Sequence, residues 1–221
     1  MTRPRQPLAV FDCDGTLIDG QASICEAMET AFSGLGLPLP SRDSIRRAVG
    51  LSLPQALRRL LPEGGPEQHG SLVEAYKQAF RSARIEGRIE QPLFAGMAEL
   101  LHALAADGWM LGVATGMSDR GLAHCLEANA IAGLFVTLQT ADRHPSKPHP
   151  AMLEAALFEA AVDRADAVMI GDTAFDMEMA RSAGVRAIGV GWGYHAPAEL
   201  IVAGAGFVAA TPADLKEYLL S

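Results

Sequence analysis

Cysteine is scarce in this chain. The three present, Cys13, Cys25 and Cys125, are an odd number with no CxxC spacing. That excludes a disulfide framework and points to free thiols in a reducing compartment. Long hydrophobic runs are missing as well. No stretch approaches the roughly 20 apolar residues of a membrane span, and the opening MTRPRQP is polar and proline-rich, so neither an anchor nor a secretory signal is expected. The expected location is cytoplasmic. Positive charge is in deficit: 18 Lys and Arg face 26 Asp and Glu, a net charge of −8. That sets the chain against nucleic acid, whose phosphate backbone attracts basic surfaces.

The acidic excess is unevenly placed. Residues 19–90 hold 9 basic and 9 acidic residues, whereas the rest holds 9 basic and 17 acidic residues and carries the whole −8. Surface scatter covers most of this. The remainder fits a carboxylate-rich site in one part to which the other part brings arginines. A chain of 221 residues buries a substantial core without disulfide or metal staples, as one domain or as a core domain with a smaller insert.

Five short apolar runs read as buried strands: Leu8 to Phe11, then 110–116, 134–140, 167–172 and 185–191. Segments 97–108, 122–131, 150–162 and 175–184 place apolar residues three and four apart, with Gly108 and Gly184 positioned as C-terminal caps. Alternating strands and helices predict an α/β fold, a parallel sheet with helices on both faces. Ligands of such sheets bind beyond the carboxyl ends of the strands, where Asp12, Thr115 and Asp172 fall. Residues 19–90 interrupt the alternation with helical patterns alone, separated by turn signals at PLPS and PEGGPE. The expected organisation is a core of residues 1–18 and 91–221 with an inserted all-helical lid of residues 19–90, hinged near Asp19-Gly20 and between Gly87 and Pro92.

Chemistry concentrates in a few segments. In FDCDGTLID (11–19) two carboxylates, Asp12 and Asp14, stand two apart at a strand end. Gly15 and Thr16 come next, a turn that aims backbone N–H groups at a phosphate. A plain polar turn accounts for one aspartate there and poorly for two. GDTAFD (171–176) adds Asp172 and Asp176, four apart at a helix start and therefore on one face. Helix capping explains Asp172 alone, less well beside the first pair. Carboxylates completed by water and phosphate oxygens are the ligands Mg²⁺ favours. Lys147, in SKPHP (146–150), reads in isolation as a solvated loop lysine.

In this order, FDCDGTLID, VATG (113–116), SKPHP and GDTAFD resemble the four motifs of the haloacid dehalogenase superfamily, in its phosphatase branch and nearest to phosphoglycolate-phosphatase-like members. The resemblance spans the chain, including a helical cap after the first motif. It implies a Rossmann-like core, a Mg²⁺ cofactor and hydrolysis of a small phosphorylated metabolite, such as 2-phosphoglycolate, through an aspartyl phosphate. By motif position it implies Asp12 as nucleophile and Asp14 as general acid/base. Thr115 and Lys147 would hold the transferring phosphoryl group, with Thr16 and Gly116 beside them. Asp172 would bind Mg²⁺ together with Asp12 and the Asp14 backbone carbonyl, and Asp176 would be a further ligand or water-holder. Met117 departs from the polar or basic residue that relatives often carry after the Thr-Gly pair.

Arg46 and Arg47 precede a glycine-containing loop that resembles the specificity loop of helical caps, and are expected to meet the substrate's leaving group; the alternative is an exposed charged face. Trp192, Tyr194 and His195 wall the site or pack as core or loop. A dehalogenase would need neither Asp14 nor the GDTAFD metal site. A phosphonate hydrolase takes a Schiff-base lysine from the early cap, whereas Lys77, late in the last cap helix, is the only lysine in residues 19–90. A phosphomutase of the β-phosphoglucomutase type shares every core motif and stays open. So does a non-catalytic phospho-ligand-binding relative, which an intact catalytic set disfavours. The chain is expected to be a monomer or homodimer.

Overall fold

The computed structural model describes residues 6–221. The strands are β1 Leu8–Phe11, β2 Met110–Thr115, β3 Phe135–Thr140, β4 Ala167–Gly171, β5 Arg186–Val190 and β6 Phe207–Ala209. They form one parallel sheet in the order β3-β2-β1-β4-β5-β6. The first five match the expected strands to within a residue at either end. The sequence reading lacks β6, because three residues are too few to show a period. Helices α1 Gln21–Gly34, α2 Arg42–Arg46, α3 Leu53–Leu60 and α4 Pro66–Ile85 come after β1. The remainder are α5 Met97–Ala106, α6 Asp119–Ala128, α7 Ala151–Ala160, α8 Ala174–Ala183, α9 Pro197–Ala203 and α10 Pro212–Leu220.

Strand β1 lies at the centre and is buried on both faces. Ala9 and Phe11 enter one apolar cluster with Leu101 and Leu104 of α5, Leu122 of α6 and Leu215 of α10. Leu8 and Val10 enter a second with Leu153 of α7, Met177 of α8 and Leu200 of α9. Side chains alternate between the faces, yet both faces are covered, so the strand reads as an unbroken apolar run. Each fully buried Leu or Phe contributes roughly 1.5–3 kcal/mol relative to exposure, which makes the sheet centre a stiff platform for the turn that carries Asp12 and Asp14.

The chain steps from β1 outward through β2 to β3, then returns to the other side of β1 with β4. The carboxyl ends of β1 and β4 therefore flank the point where strand order reverses, the place where open α/β sheets bind ligands. Helices α1–α4 build an apolar cluster of their own around Met28, Phe32, Ile45, Leu57 and Leu72. Where this segment leaves and rejoins the sheet the two strands of chain are tied: the Asp19 N–H donates to the Pro92 carbonyl at 2.9 Å and the Ser23 hydroxyl to the Glu90 carbonyl at 3.2 Å. No helix among the described residues is long and apolar enough to cross a membrane.

Candidate active site

The turn after β1 is built by its own backbone. The N–H groups of Thr16, Leu17 and Ile18 all donate to the Cys13 carbonyl, at 3.2, 2.9 and 3.1 Å. Gly15 sits at φ +86°, and a Cβ there would run into Asp172 and the Tyr194 ring. Only glycine fits that conformation and that approach. Two further bonds lock the turn to the rest of the rim. Thr16 Oγ1 donates to Asp172 Oδ1 at 2.8 Å, and the Trp192 indole N–H to the Thr16 carbonyl at 3.1 Å.

Asp12, Asp172 and Asp176 converge at the strand ends, with ligand oxygens all within 4.8 Å of one another. Asp12 Oδ1 accepts from the Cys13 N–H at 2.7 Å and lies 2.8 Å from Lys147 Nζ. Lys147 also donates to Asp176 Oδ1 at 2.7 Å, while Asp176 Oδ2 accepts from the Thr173 N–H at 3.0 Å and hydroxyl at 2.7 Å. Thr173 is the N-cap of α8, so Asp176 completes the backbone half of a capping box. Asp172 Oδ2 accepts from the Tyr194 N–H at 2.9 Å.

One buried cation among three buried carboxylates leaves an excess of negative charge. Burial pushes Asp12 up to about 7 against the pull of Lys147, with the Asp176 charge adding to the rise. Burial also lifts Asp172 well above the carboxylate range, helped by Asp12 and Asp176. Asp14 rises to about 6 through burial, with Lys147 opposing. Burial works against the charge of Lys147, but Asp12 and Asp176 outweigh it and raise its pKa.

These residues fit a divalent cation. Asp12 Oδ2 and Asp14 Oδ1 are buried without a hydrogen-bond partner, a costly state for a carboxylate oxygen unless something positive reaches it. Hard oxygen donors with uncompensated charge are what Mg²⁺ takes. Asp12, Asp172 and Asp176 are the residues that could hold it. Asp176, expected as a further ligand or water-holder, belongs to the same cluster and also pairs with Lys147.

Asp12, Asp14, Thr115, Gly116 and Met117 line a cavity of about 550 Å³ between the sheet and the helical segment. Thr115 ends β2 and is buried, its hydroxyl oxygen accepting from the Met117 N–H at 3.2 Å. Arg46 and Arg47 do not line this cavity. The face of α2 and its end turned toward it carries Ile45 and Ala48, so the two arginines point elsewhere. Arg47 reaches Glu199 of α9 at 2.5 Å, and Arg46 faces the Gln21 side-chain amide. The basic groups on the cavity wall are instead Lys77, Arg81 and Arg84 of α4 and Arg120 of α6. The sequence reading missed them. Their spacing along α4, four and then three residues, is the signal that puts them on one face.

The loop between α2 and α3 is docked on the core. The Ser52 N–H donates to Ser146 Oγ at 2.8 Å. Gly50 packs on Thr173, and the carbonyls of Gly50 and Leu51 press against Gly116. His195, beside this contact, accepts from the Ala174 N–H at 3.1 Å, and burial lowers its pKa.

The family described as haloacid dehalogenase-like hydrolase matches residues 9–190. A probable phosphatase, IndB, of Dickeya dadantii is 36% identical over 198 residues, covering 88% of this chain and 85% of that protein. The phosphoglycolate phosphatase of Pseudomonas savastanoi pv. phaseolicola is 28% identical over 193 residues, 85% of this chain and 70% of that one. A hydrolase of solved structure from Pseudomonas syringae superposes with a TM-score of 0.85 at 27% identity, covering 97% of this chain and 98% of its own. With a carboxylate-rich rim at the β1/β4 switch point and a family match over most of its length, the chain belongs to the haloacid dehalogenase-like hydrolases.

Proposed function

We propose that the protein is a Mg²⁺-dependent phosphatase that hydrolyses phosphate monoesters in two displacements at Asp12. The observation that carries this reading is Asp12 itself: it lines the cavity, one oxygen is fixed by the Cys13 N–H and Lys147, and the other has no partner. A carboxylate so held is aimed. The carboxylate attacks phosphorus, forming an aspartyl phosphate and expelling an alkoxide that takes a proton from Asp14. Asp14 then removes a proton from the water that cleaves the acyl phosphate. A pKa near 6 suits a group that must give and take a proton close to neutrality.

Lys147 meets the charge on the phosphoryl oxygens, and Asp176 fixes the lysine for that task. Mg²⁺ bound by Asp12 and Asp172 would offset the repulsion between the nucleophile and an anionic substrate. Residues 19–90 act as a lid, hinged at its two tied crossings, that excludes water while the loop before α3 is docked. 2-Phosphoglycolate, the substrate in the names of several relatives, is the smallest candidate. The test is release of inorganic phosphate from a generic aryl phosphate. Turnover that appears with Mg²⁺, disappears with a chelator and is absent in Asp12→Asn supports the reading; turnover in excess chelator, or by folded Asp12→Asn, overturns it.

A further inference from the structure

The cavity is large for a two-carbon acid. At about 30 Å³ per water in the liquid, its 550 Å³ is room for on the order of eighteen waters. This is the volume with the loop before α3 already seated on Gly116, Ser146 and Thr173, so closing that contact does not remove it. Its walls are mostly apolar, with Val49, Leu53, Val73, Tyr76 and Phe80 on one side and Met117 on the other. A small polar leaving group would leave those walls wet. Covering them with an apolar ring is favourable.

The cavity also holds two guanidinium groups without an ion-pair partner. Arg84 and Arg120 line it, and neither has an acidic partner among the described residues. Arg84 Nε is buried with no hydrogen-bond partner, and its guanidinium lies 5.5 Å from the centre of the Phe80 ring. Burial and the neighbouring Arg120 both lower the pKa of Arg84. Asp142 also lines the cavity, where its Oδ2 accepts from the Asp119 N–H at 2.9 Å, but it makes no ion pair with either arginine. A guanidinium pair of this kind grips a carboxylate or a second phosphate through parallel hydrogen bonds.

We propose that this cavity takes phosphate monoesters whose leaving group is ring-sized and largely apolar and bears a second anionic group, the ring against Tyr76, Phe80 and Met117 and the anion against Arg84 and Arg120. For turnover the proposal rests on the phosphatase reading; for binding it stands apart from it. Three probes that all release a primary alcohol separate the features: 4-carboxybenzyl phosphate, benzyl phosphate and 2-phosphoglycolate. With Mg²⁺ the full chain is expected to show kcat/KM at least tenfold higher for 4-carboxybenzyl phosphate than for 2-phosphoglycolate. Arg120→Gln and Arg84→Gln should each lower it at least five times more for 4-carboxybenzyl phosphate than for benzyl phosphate. Arg120 is exposed, so its variant keeps the test open if Arg84→Gln does not fold. Calorimetric titration of the three probes into Asp12→Asn gives the same ranking without chemistry. Preference for 2-phosphoglycolate overturns the proposal and leaves the phosphatase standing. Absence of all turnover, with tighter binding of 4-carboxybenzyl phosphate, does the reverse, and equal binding of the three overturns the proposal whatever the kinetics.

Discussion

Lys147 donates from Nζ to Asp176 Oδ1 at 2.7 Å, and neither side chain is open to solvent. A lysine taken so far out of water keeps its proton only where its charge is met. Here Asp176 meets it on one side and Asp12 on the other, at 2.8 Å. Asp176 thus pairs with the lysine through one oxygen, and its second oxygen is held by Thr173. That arrangement distinguishes Asp176 from Asp172, although sequence spacing pairs them.

Asp172→Asn and Asp176→Asn are therefore expected to fail differently. The first should raise the Mg²⁺ concentration for half-maximal activity by tenfold or more. The second should lower kcat with a smaller change in Mg²⁺ requirement, and should lower the melting temperature, since an amide turned toward the Thr173 N–H leaves a buried donor unmatched at a cost of about 1–3 kcal/mol. Equal shifts in Mg²⁺ half-saturation for the two variants would make Asp176 a ligand on a par with Asp172.

Asp14→Asn should slow both displacements, because neither the leaving alkoxide nor the attacking water then has a proton partner. The expected loss is about 10²–10⁴-fold. A mutant with the wild-type rate and pH profile would remove Asp14 from the chemistry.

The metal-free protein should become less stable as pH rises from 5.5 to 8. Asp12 and Asp14, at about 7 and about 6, bind protons in the folded state that the unfolded chain has already released. Stability from such raised carboxyl groups is present at the acid end and is lost as pH climbs through those values. Lys147, with its pKa raised, stays protonated throughout this window and adds no slope. Mg²⁺ binds the folded state, so it should raise the melting temperature more at pH 8 than at pH 5.5. A melting temperature that increases with pH in chelator would contradict the crowded-carboxylate picture.

The site's centre was legible because parallel strands announce themselves. The central apolar runs stop at chemical residues, Asp12 after β1 and Asp172 after β4, and the sheet brings those ends together. Other features have no local signature. The Tyr194 N–H that holds Asp172 is a backbone group that any residue supplies. Arg47 reads as a substrate contact because its partner Glu199 lies 152 positions away. Arg84 and Arg120 carry no local mark of a shared role, because the cavity they line is assembled from several distant segments. Tertiary placement of charge is the part that periodicity does not encode.

Gly116 offers a test of loop docking. A Cβ at this position would collide with the carbonyls of Leu51 and Gly50, which are backbone and cannot swing aside, while Gly116 itself does not occupy the left-handed region. Gly116→Ala should therefore be tolerated by the core and refused by the docked loop. The Ser52–Ser146 hydrogen bond and the Gly50–Thr173 contact would loosen with it. The expected result is a melting temperature close to wild type and an unchanged Mg²⁺ requirement. Alongside these, kcat/KM should fall by about tenfold to 10²-fold, the scale of an ångström's misplacement around a reacting centre. Arg47→Ala breaks the exposed pair with Glu199, which ties the same segment to α9. It should lower kcat/KM only a few-fold, and equally for every substrate, because the arginine does not line the cavity. Wild-type kinetics in Gly116→Ala would show that catalysis does not need the loop seated on the core. A substrate-selective loss in Arg47→Ala would restore that arginine to substrate recognition.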